Sequence, residues 1–286
     1  MPRALEATPN LVPLWRGGKR MQRDLAQIQY FFLDMDGTLY LGDRLLPGAT
    51  DLIAYLQRSG RRYLFFTNNP TRSPAAYAEK LTRLGIHATA EQVLTSGEVM
   101  IRFLKRHTVY TRLYVIGTPS FESELRRAGF TLSREDPQAV ILAFDTTLTY
   151  EKLVGATHWL RGGLPYYATN PDKVCPTEDG FIPDCGATAA LLEAATGRTP
   201  KYVGKPYAEM VEAGLEKLGA DPGRTAIVGD RLYTDMAMGF AAGITPILLL
   251  SGETRPGDLE GADLHPPFVF PSAAELTQAL QHADIR

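Results

Sequence analysis

Residues 31–38 read FFLDMDGT, an apolar run that ends in two acids, a glycine and a threonine. The short apolar run from Tyr30 to Leu33 predicts a buried strand. Asp34 and Asp36 leave its carboxyl end, the place where open α/β sheets bind ligands. Two neighbouring carboxylates repel each other unless a cation or a proton lies between them, and Mg²⁺ prefers oxygen ligands. Taken alone, the pair predicts either a metal site or a strand–loop junction with solvated acids.

Apolar runs alternate with helical patterns along most of the chain, which predicts an α/β fold with a largely parallel sheet. Strands are expected at residues 30–33, 63–66, 113–116, 139–143, 165–168, 225–228 and 245–250. Helices are expected at residues 51–59, from the Ser73-Pro74 start to Gly85, and at residues 234–242. Because the middle third has its own alternation, it could be an inserted α/β domain.

Composition excludes several classes of protein. The 286 residues are 44% hydrophobic and 22% charged, with a net charge of -2 and no block of like charge. We therefore expect no nucleic-acid partner and no membrane partner. Cys175 and Cys185 form no zinc pattern and are expected to be free thiols, although a disulfide between them stays open.

The first residues are expected to be a flexible leader, residues 1–27, in which Met21 could be an alternative start. They lack the continuous apolar run of a signal peptide, and no stretch of the chain approaches the roughly 20 apolar residues of a membrane span. The protein is therefore predicted to be cytoplasmic.

Two further segments place polar groups beside a predicted strand. FFTNNP, residues 65–70, supplies a hydroxyl at Thr67 and amides at Asn68 and Asn69, which could hold phosphate oxygens or form an ordinary turn. YVGKP, residues 202–206, presents Lys205, which could neutralise a phosphate or a carboxylate or could be a solvated surface lysine.

The last such segment is AIVGDRLYTD, residues 226–235. Asp230 ends an apolar strand and Asp235 follows near a helix start, where it could be only an N-cap. Acids, a hydroxyl, amides and a lysine at strand ends are the groups that phosphoryl transfer needs. Neither the Gly-x-Ser-x-Gly pattern of serine hydrolases nor a Gly-x-Gly-x-x-Gly dinucleotide fingerprint occurs.

Together these segments resemble the haloacid dehalogenase (HAD) superfamily, with its motifs in order at residues 34–38, Thr67, Lys205 and residues 229–235. The finer resemblance is to the NagD-like, 4-nitrophenylphosphatase subgroup (class IIA, C2-type cap), and it extends over residues 30–252. Its further marks are residues 67–69, 168–172, 203–206 and 229–231 with 234–235. The resemblance implies a Rossmann-like core, residues 28–96 and 199–286, with an α/β cap inserted at residues 97–198.

The resemblance also implies roles for these residues. Asp34 would attack phosphorus to form an aspartyl-phosphate, and Asp36 would protonate the leaving group and then help water to attack. Mg²⁺ would be held by Asp34, the main-chain carbonyl of Asp36, Asp230 and, directly or through water, Asp235. The substrate would be bound by Thr67, Asn68, Asn69, Lys205 and, from the cap, Asn170 and Asp172.

The expected substrate is a small phosphorylated metabolite. The alternatives are a narrow-specificity phosphatase of the phosphoglycolate or pyridoxal phosphate type, and a catalytically silent NagD-like protein with a binding or regulatory role. Asn170 and Asp172 could also be ordinary turn residues, and residues 173–184 match no substrate-defining pattern. The family that the chain resembles includes both monomers and cap-mediated dimers, so the resemblance leaves a homodimer through the cap as one possible assembly.

Overall fold

The computed structural model describes residues 25–177 and 179–285. The strands are β1 Tyr30–Asp34, β2 Tyr40–Leu41, β3 Arg44–Leu45, β4 Arg62–Thr67, β5 Val93–Thr95, β6 Arg112–Ile116, β7 Thr131–Leu132, β8 Ala139–Leu142, β9 Tyr166–Ala168, β10 Val174–Thr177, β11 Gly180–Pro183, β12 Lys201–Tyr202, β13 Thr225–Gly229, β14 Thr245–Leu249 and β15 Phe268–Phe270. The helices are α1 Ala49–Arg58, α2 Pro74–Arg83, α3 Ser96–His107, α4 Pro119–Arg127, α5 Tyr150–Arg161, α6 Cys185–Thr196, α7 Ala208–Leu218, α8 Ala237–Ala242 and α9 Ala273–Asp284.

The first sheet is parallel throughout and has the strand order β15-β14-β13-β1-β4-β5. Its central strands are buried on both faces because helices cover both sides, which explains why their sequences are apolar runs rather than alternating patterns. Helices α1, α2 and α9 pack on one face, and α3, α7 and α8 pack on the other.

The strand order reverses between β1 and β13. The chain runs outward from β1 to β4 and β5 on one side, and from β13 to β14 and β15 on the other. The helix that follows β1 packs on one face, whereas the helix that follows β13 packs on the opposite face. A crevice opens at such a reversal, at the carboxyl ends of the strands, and this is where open α/β sheets bind ligands.

A second parallel sheet, with the order β12-β9-β8-β6-β7, forms from residues 112–202. Helices α5 and α6 cover one of its faces. Residues of its other face share one apolar cluster with α3 and α7, which pack on the first sheet. The predicted α/β class with a parallel sheet is confirmed. The limits of the predicted cap stay a prediction, and β12 extends this sheet past the expected boundary at residue 198.

Local signals in the sequence explain most element ends. The Ser73 hydroxyl oxygen accepts a hydrogen bond from the Ala76 amide at 3.3 Å and caps α2, as predicted. The predicted helix at residues 234–242 differs, because α8 begins only at Ala237 and a π-helical turn, Leu232–Met236, precedes it. Both cysteines are free, as expected.

The predicted leader falls almost wholly outside the described residues, and so does Met21. Its last part is described: Leu25–Gln27 form a 3-10 turn that packs on α9, and Leu25 is buried in the core. The packed structure therefore begins before residue 28. In the described part of the chain, every helix falls short of the length and apolar character that crossing a bilayer requires.

Candidate active site

Three neighbouring strands of the first sheet place three of the predicted site residues at one edge. β1 ends at Asp34, β4 ends at Thr67, and Asp230 directly follows β13. Their parallel pairing puts Asp34 beside Phe66 and Leu33 beside Val228, so the three strand ends are level with one another. A cleft opens there, lined by Asp34, Asp36, Thr67, Asn68, Asn69, Asp172, Cys175, Pro176, Asp184, Lys205, Arg231 and Thr234.

A cluster of three buried carboxylates forms the floor of this site. Asp34, Asp230 and Asp235 each offer an oxygen within 4.8 Å of the others. The ammonium group of Lys205, which is only 3% exposed, donates to Asp34 and, at 2.8 Å, to Asp235. The Thr38 hydroxyl lies 3.0 Å from the second oxygen of Asp34, so both oxygens of this carboxylate are fixed. The lysine is therefore an integral part of the site rather than a surface residue.

The charge balance of the cluster is unfavourable without a further cation. Burial, reinforced by the negative charge of Asp34, raises the pKa of Asp230 to about 8. Burial likewise raises the pKa of Asp235 to about 6, against the opposing effect of Lys205. Burial alone would lower the pKa of Lys205, but Asp235 and Asp34 outweigh it and the net pKa is raised. Three carboxylates thus share one ammonium group, and oxygen-only ligands of this kind suit a hard divalent cation.

Two glycines allow the backbone to approach Asp230 closely. Gly37 has a φ of 87°, and a Cβ there would lie 2.4 Å from Asp230 Oδ2. A Cβ on Gly252 would lie 2.0 Å from the same oxygen. The backbone amide of Glu253 donates a hydrogen bond to this same oxygen at 2.7 Å. The position of this carboxylate is consequently set by backbone on two sides.

Asp36 lines the cleft beside Asp34 but has different partners. The Tyr40 hydroxyl donates to its carboxylate at 3.4 Å, and the Lys80 ammonium lies 3.9 Å from the centre of the Tyr40 ring. Burial raises the pKa of Asp36 to about 6, Lys80 opposes this shift and Asp34 adds to it. A carboxyl group with such a pKa can both give and take a proton near neutral pH.

In the TNN segment after β4, the threonine faces the cleft and the side chains of both asparagines form hydrogen bonds within the protein. Thr67 faces the cleft, and its hydroxyl oxygen accepts from the Asn69 amide at 3.1 Å. The Asn69 side-chain oxygen accepts from the amide and the hydroxyl of Thr71, at 3.0 and 2.6 Å, which is the turn chemistry that the sequence left open. Asn68 instead binds the main chain of Lys205 and the carboxylate of Asp172.

The two predicted cap residues differ in where they lie. Asp172 borders the cleft, whereas Asn170 is fully buried and donates to Asp172 and Asp184, at 3.1 Å in each case. Asp184 caps α6, and burial followed by the charge of Asp172 raises its pKa to about 7. Asp184 is therefore both the N-cap of α6 and part of the cleft wall.

Arg231 was not among the predicted site residues, although it directly follows Asp230. Its guanidinium lines the cleft and forms ion pairs with Asp172 at 3.4 Å and with Glu253 at 2.9 Å. Thr234 was missed as well. Its buried hydroxyl faces the cleft and has no hydrogen-bond partner among the described residues, so it is free to bind a ligand oxygen. The one available signal was that both lie within the segment 226–235.

Known proteins resemble the chain over most of its length. Residues 31–131 match the family model described as haloacid dehalogenase-like hydrolase, and residues 202–276 match one described as HAD-hydrolase-like. An acid sugar phosphatase of Staphylococcus aureus is 31% identical over 258 residues, which cover 90% of this chain and 100% of the relative.

Solved structures extend this likeness to the fold. A 4-nitrophenylphosphatase from Thermotoga maritima superposes with a TM-score of 0.86 and 44% identity, over 90% of this chain and 99% of the other. NagD from Escherichia coli K-12 gives a TM-score of 0.81 and 33% identity, over 87% and 98% of the two chains.

Proposed function

The chain belongs to the haloacid dehalogenase-like hydrolases as a NagD-like phosphatase, and from this premise we propose that it is a Mg²⁺-dependent hydrolase of small phosphate monoesters that works through an aspartyl-phosphate on Asp34. The family and the phosphatase class agree with the resemblance of the motifs, and both predictions are confirmed. The substrate, the metal and the covalent intermediate are the parts that we propose.

One observation supports the proposal most strongly: the buried Asp34–Asp230–Asp235 cluster, with the Lys205 ammonium inside it, at the reversal point of the sheet. The donors that this cluster offers are all oxygen atoms, which fits Mg²⁺ better than a softer metal. Mg²⁺ bound there would offset the excess negative charge and polarise the phosphoryl group. Asp34, Asp230 and Asp235 would hold it, together with the main-chain carbonyl of Asp36.

The residues of the chain divide the reaction between them. An Asp34 oxygen forms the new bond to phosphorus while the ester oxygen leaves with a proton from Asp36. Water then attacks phosphorus, Asp36 takes its proton, and the bond between phosphorus and Asp34 breaks. Lys205 compensates charge on the phosphoryl oxygens, and the Thr67 hydroxyl is placed to hold them.

Hydrolysis of 4-nitrophenyl phosphate tests the activity and its metal together. We expect turnover with Mg²⁺, loss of turnover in EDTA, and recovery when Mg²⁺ is restored. Absence of Mg²⁺-dependent turnover with this substrate and with a panel of phosphorylated metabolites would rule out the proposed function.

The nucleophile has its own test. Asp34→Asn should abolish turnover in a folded protein, whereas Asp51→Asn, an exposed acid on α1, should leave it unchanged. Borohydride reduction of an acyl phosphate followed by peptide mass mapping should mark Asp34 in the parent protein only. Modification at another carboxylate would show that the nucleophile is assigned wrongly.

Asp36→Asn tests the proton transfers. The variant should slow both half-reactions, because the amide replaces the group proposed to protonate the leaving oxygen and to accept a proton from water. Burst kinetics with 4-nitrophenyl phosphate separate the two steps. An unchanged rate for both would remove the acid and base role of Asp36.

We also propose a homodimer through the cap. Helices α5 and α6 expose apolar side chains: Tyr150 is 81% exposed, Val154 53% and Leu191 48%. Contact between two copies through these helices would remove such side chains from water. Light scattering should give twice the monomer mass for the parent protein and the monomer mass for Leu191→Glu. A monomeric parent protein would exclude this assembly. The absence of nucleic-acid and membrane partners, and the cytoplasmic location, stay predictions.

A further inference from the structure

The side chain of Asn68 is occupied by the protein itself. Its oxygen accepts from the backbone amide of Lys205 at 2.8 Å, and its amide nitrogen donates to the Lys205 carbonyl at 3.0 Å. The same nitrogen donates to the carboxylate of Asp172 at 2.8 Å. Both amide hydrogens are therefore in use, and the side chain has no donor left for a phosphate.

Asp172 reaches this asparagine from the second sheet. It is 3% exposed, and one of its oxygens accepts from Asn68 and, at 3.1 Å, from Asn170. The guanidinium of Arg231 lies 3.4 Å from its other oxygen. Asp172 thus borders the cleft, yet both of its oxygens already accept hydrogen bonds from protein groups.

Tight backbone contacts surround this junction. The Gly204 amide donates to the Thr169 carbonyl at 2.8 Å, and a Cβ on Gly204 would lie 2.6 Å from the side-chain oxygen of Asn68. The hydroxyl of Ser96, the first residue of α3, donates to the Asn68 carbonyl at 2.6 Å. Ser96 and Gly204 lie in the two segments that connect the sheets, and both segments contact Asn68. A movement of the second sheet would therefore displace the groups around this residue directly.

We propose that Asp172 is a positioning residue rather than a substrate ligand: it holds the Asn68 amide, and Asn68 in turn holds the main chain of Lys205. The inference rests on the proposed function. The Lys205 ammonium contacts Asp34 only while the Lys205 backbone is held in place. Asn68 holds that backbone through hydrogen bonds to both its N–H and its C=O. When the second sheet lies against the first as in this structure, Asp172 accepts its hydrogen bond from Asn68 and the ammonium faces the nucleophile. When the second sheet moves away, Asn68 loses this contact and the Lys205 backbone is no longer held.

A positioning role and a substrate-binding role differ in how they depend on the leaving group. If Asp172 acts through Lys205, Asp172→Ala should lower kcat about 10- to 100-fold, by the same factor for 4-nitrophenyl phosphate and for the much smaller acetyl phosphate, with KM little changed. A loss confined to 4-nitrophenyl phosphate, or one that appears only in KM, would overturn the proposal. Asp145→Ala is the matched control, since the Asp145 carboxylate follows β8 of the second sheet and is likewise held by protein groups, Lys152 and Thr147. It should not change kcat.

A double-mutant cycle tests whether the effect passes through Asn68. In the Asn68→Ala background, Asp172→Ala should cause little further loss of kcat, because the residue through which it acts is already gone. Losses that multiply would contradict the proposed linkage. Asp172→Asn keeps the size of the side chain and serves if the alanine variant does not fold. It should show a smaller loss in the same direction.

Hydrogen exchange gives a readout that does not depend on turnover. The Lys205 amide is bonded to the Asn68 side chain, so Asp172→Ala should speed its exchange, whereas Asp145→Ala should not. Unchanged exchange at Lys205 would refute the positioning role even in an active enzyme. Lack of any activity in the parent protein would instead refute the proposed function and leave this measurement interpretable.

Discussion

Gly37→Ala should separate backbone strain from damage to the catalytic site. Gly37 has a φ of 87°, a conformation that costs alanine about 1–2 kcal/mol. That cost corresponds to a fall in Tm of roughly 2–4 °C per kcal/mol. The new Cβ would also lie 2.4 Å from Asp230 Oδ2. Because ordinary nonbonded contacts need about 3.5 Å, the carboxylate must retreat by about 1 Å.

A displacement of about 1 Å in a catalytic group can lower the rate about 100-fold. We therefore expect Gly37→Ala to lose about that much kcat/KM and to need more Mg²⁺ for half-maximal activity. Gly163→Ala is the control, because Gly163 has the same φ of 87° and a Cβ there would meet no atom within 4 Å. It should lower Tm similarly and keep full activity. Thermal unfolding and 4-nitrophenyl phosphate kinetics on both variants decide the matter, and equal activity of the two would refute the steric argument.

Three further predictions concern stability. Adding Mg²⁺ to EDTA-treated protein should raise Tm, because a ligand at 100 times its Kd stabilises the folded state by about 2.7 kcal/mol. A Tm that stays unchanged as Mg²⁺ is titrated in would contradict a metal site at the carboxylate cluster. Hydrogen bonds from Arg61 lower the pKa of Asp284, so this pair stabilises the fold at neutral pH and ceases to do so as the pH falls through that lowered pKa. Asp284→Asn should then cost about 1 kcal/mol in urea unfolding at pH 7 and nothing in strong acid, and an equal cost at both would be inconsistent with the ion pair. Burial raises the pKa of Glu124 to about 7, so this residue makes the fold less stable as the pH rises from 4.5, the ordinary pKa, to 7. Glu124→Gln should therefore raise the free energy of unfolding by about 1–2 kcal/mol at pH 8 but by little at pH 5. Urea titrations at the two pH values measure this difference, and equal effects at both would contradict the prediction.

The strand ends could be predicted because two simple rules fix them. A buried parallel strand needs an apolar run, and parallel strands of one sheet end at the same edge. Asp34, Thr67 and Asp230 each follow such a run, so their meeting required no knowledge of distant contacts. Burial of Lys205 could not be read from its Gly-Lys-Pro context, because the acids that surround it come from other segments.

Other features depend on contacts that leave no local pattern. Asn68 and Asp172 are 104 residues apart, and both residue types are common in turns, so nothing in either segment indicates their hydrogen bond. The π-helical turn before α8 is similar. An apolar periodicity predicts a helix there but cannot show that the first turn is widened, with Thr234 and Asp235 buried within it.

The two sheets also meet in a way that extends the rule of strand ends. β9 and β12 are parallel neighbours of the second sheet. The segment after β9 leads to Asp172, and the segment after β12 leads to Lys205. Both therefore leave the carboxyl edge of the second sheet, just as Asp34 and Asp230 leave that of the first. The cleft lies between two such edges, and the lysine that pairs with Asp34, the proposed nucleophile, follows a strand of the second sheet. Since the proposed chemistry needs that ammonium group beside Asp34, the proposed reaction depends on the position of the second sheet relative to the first.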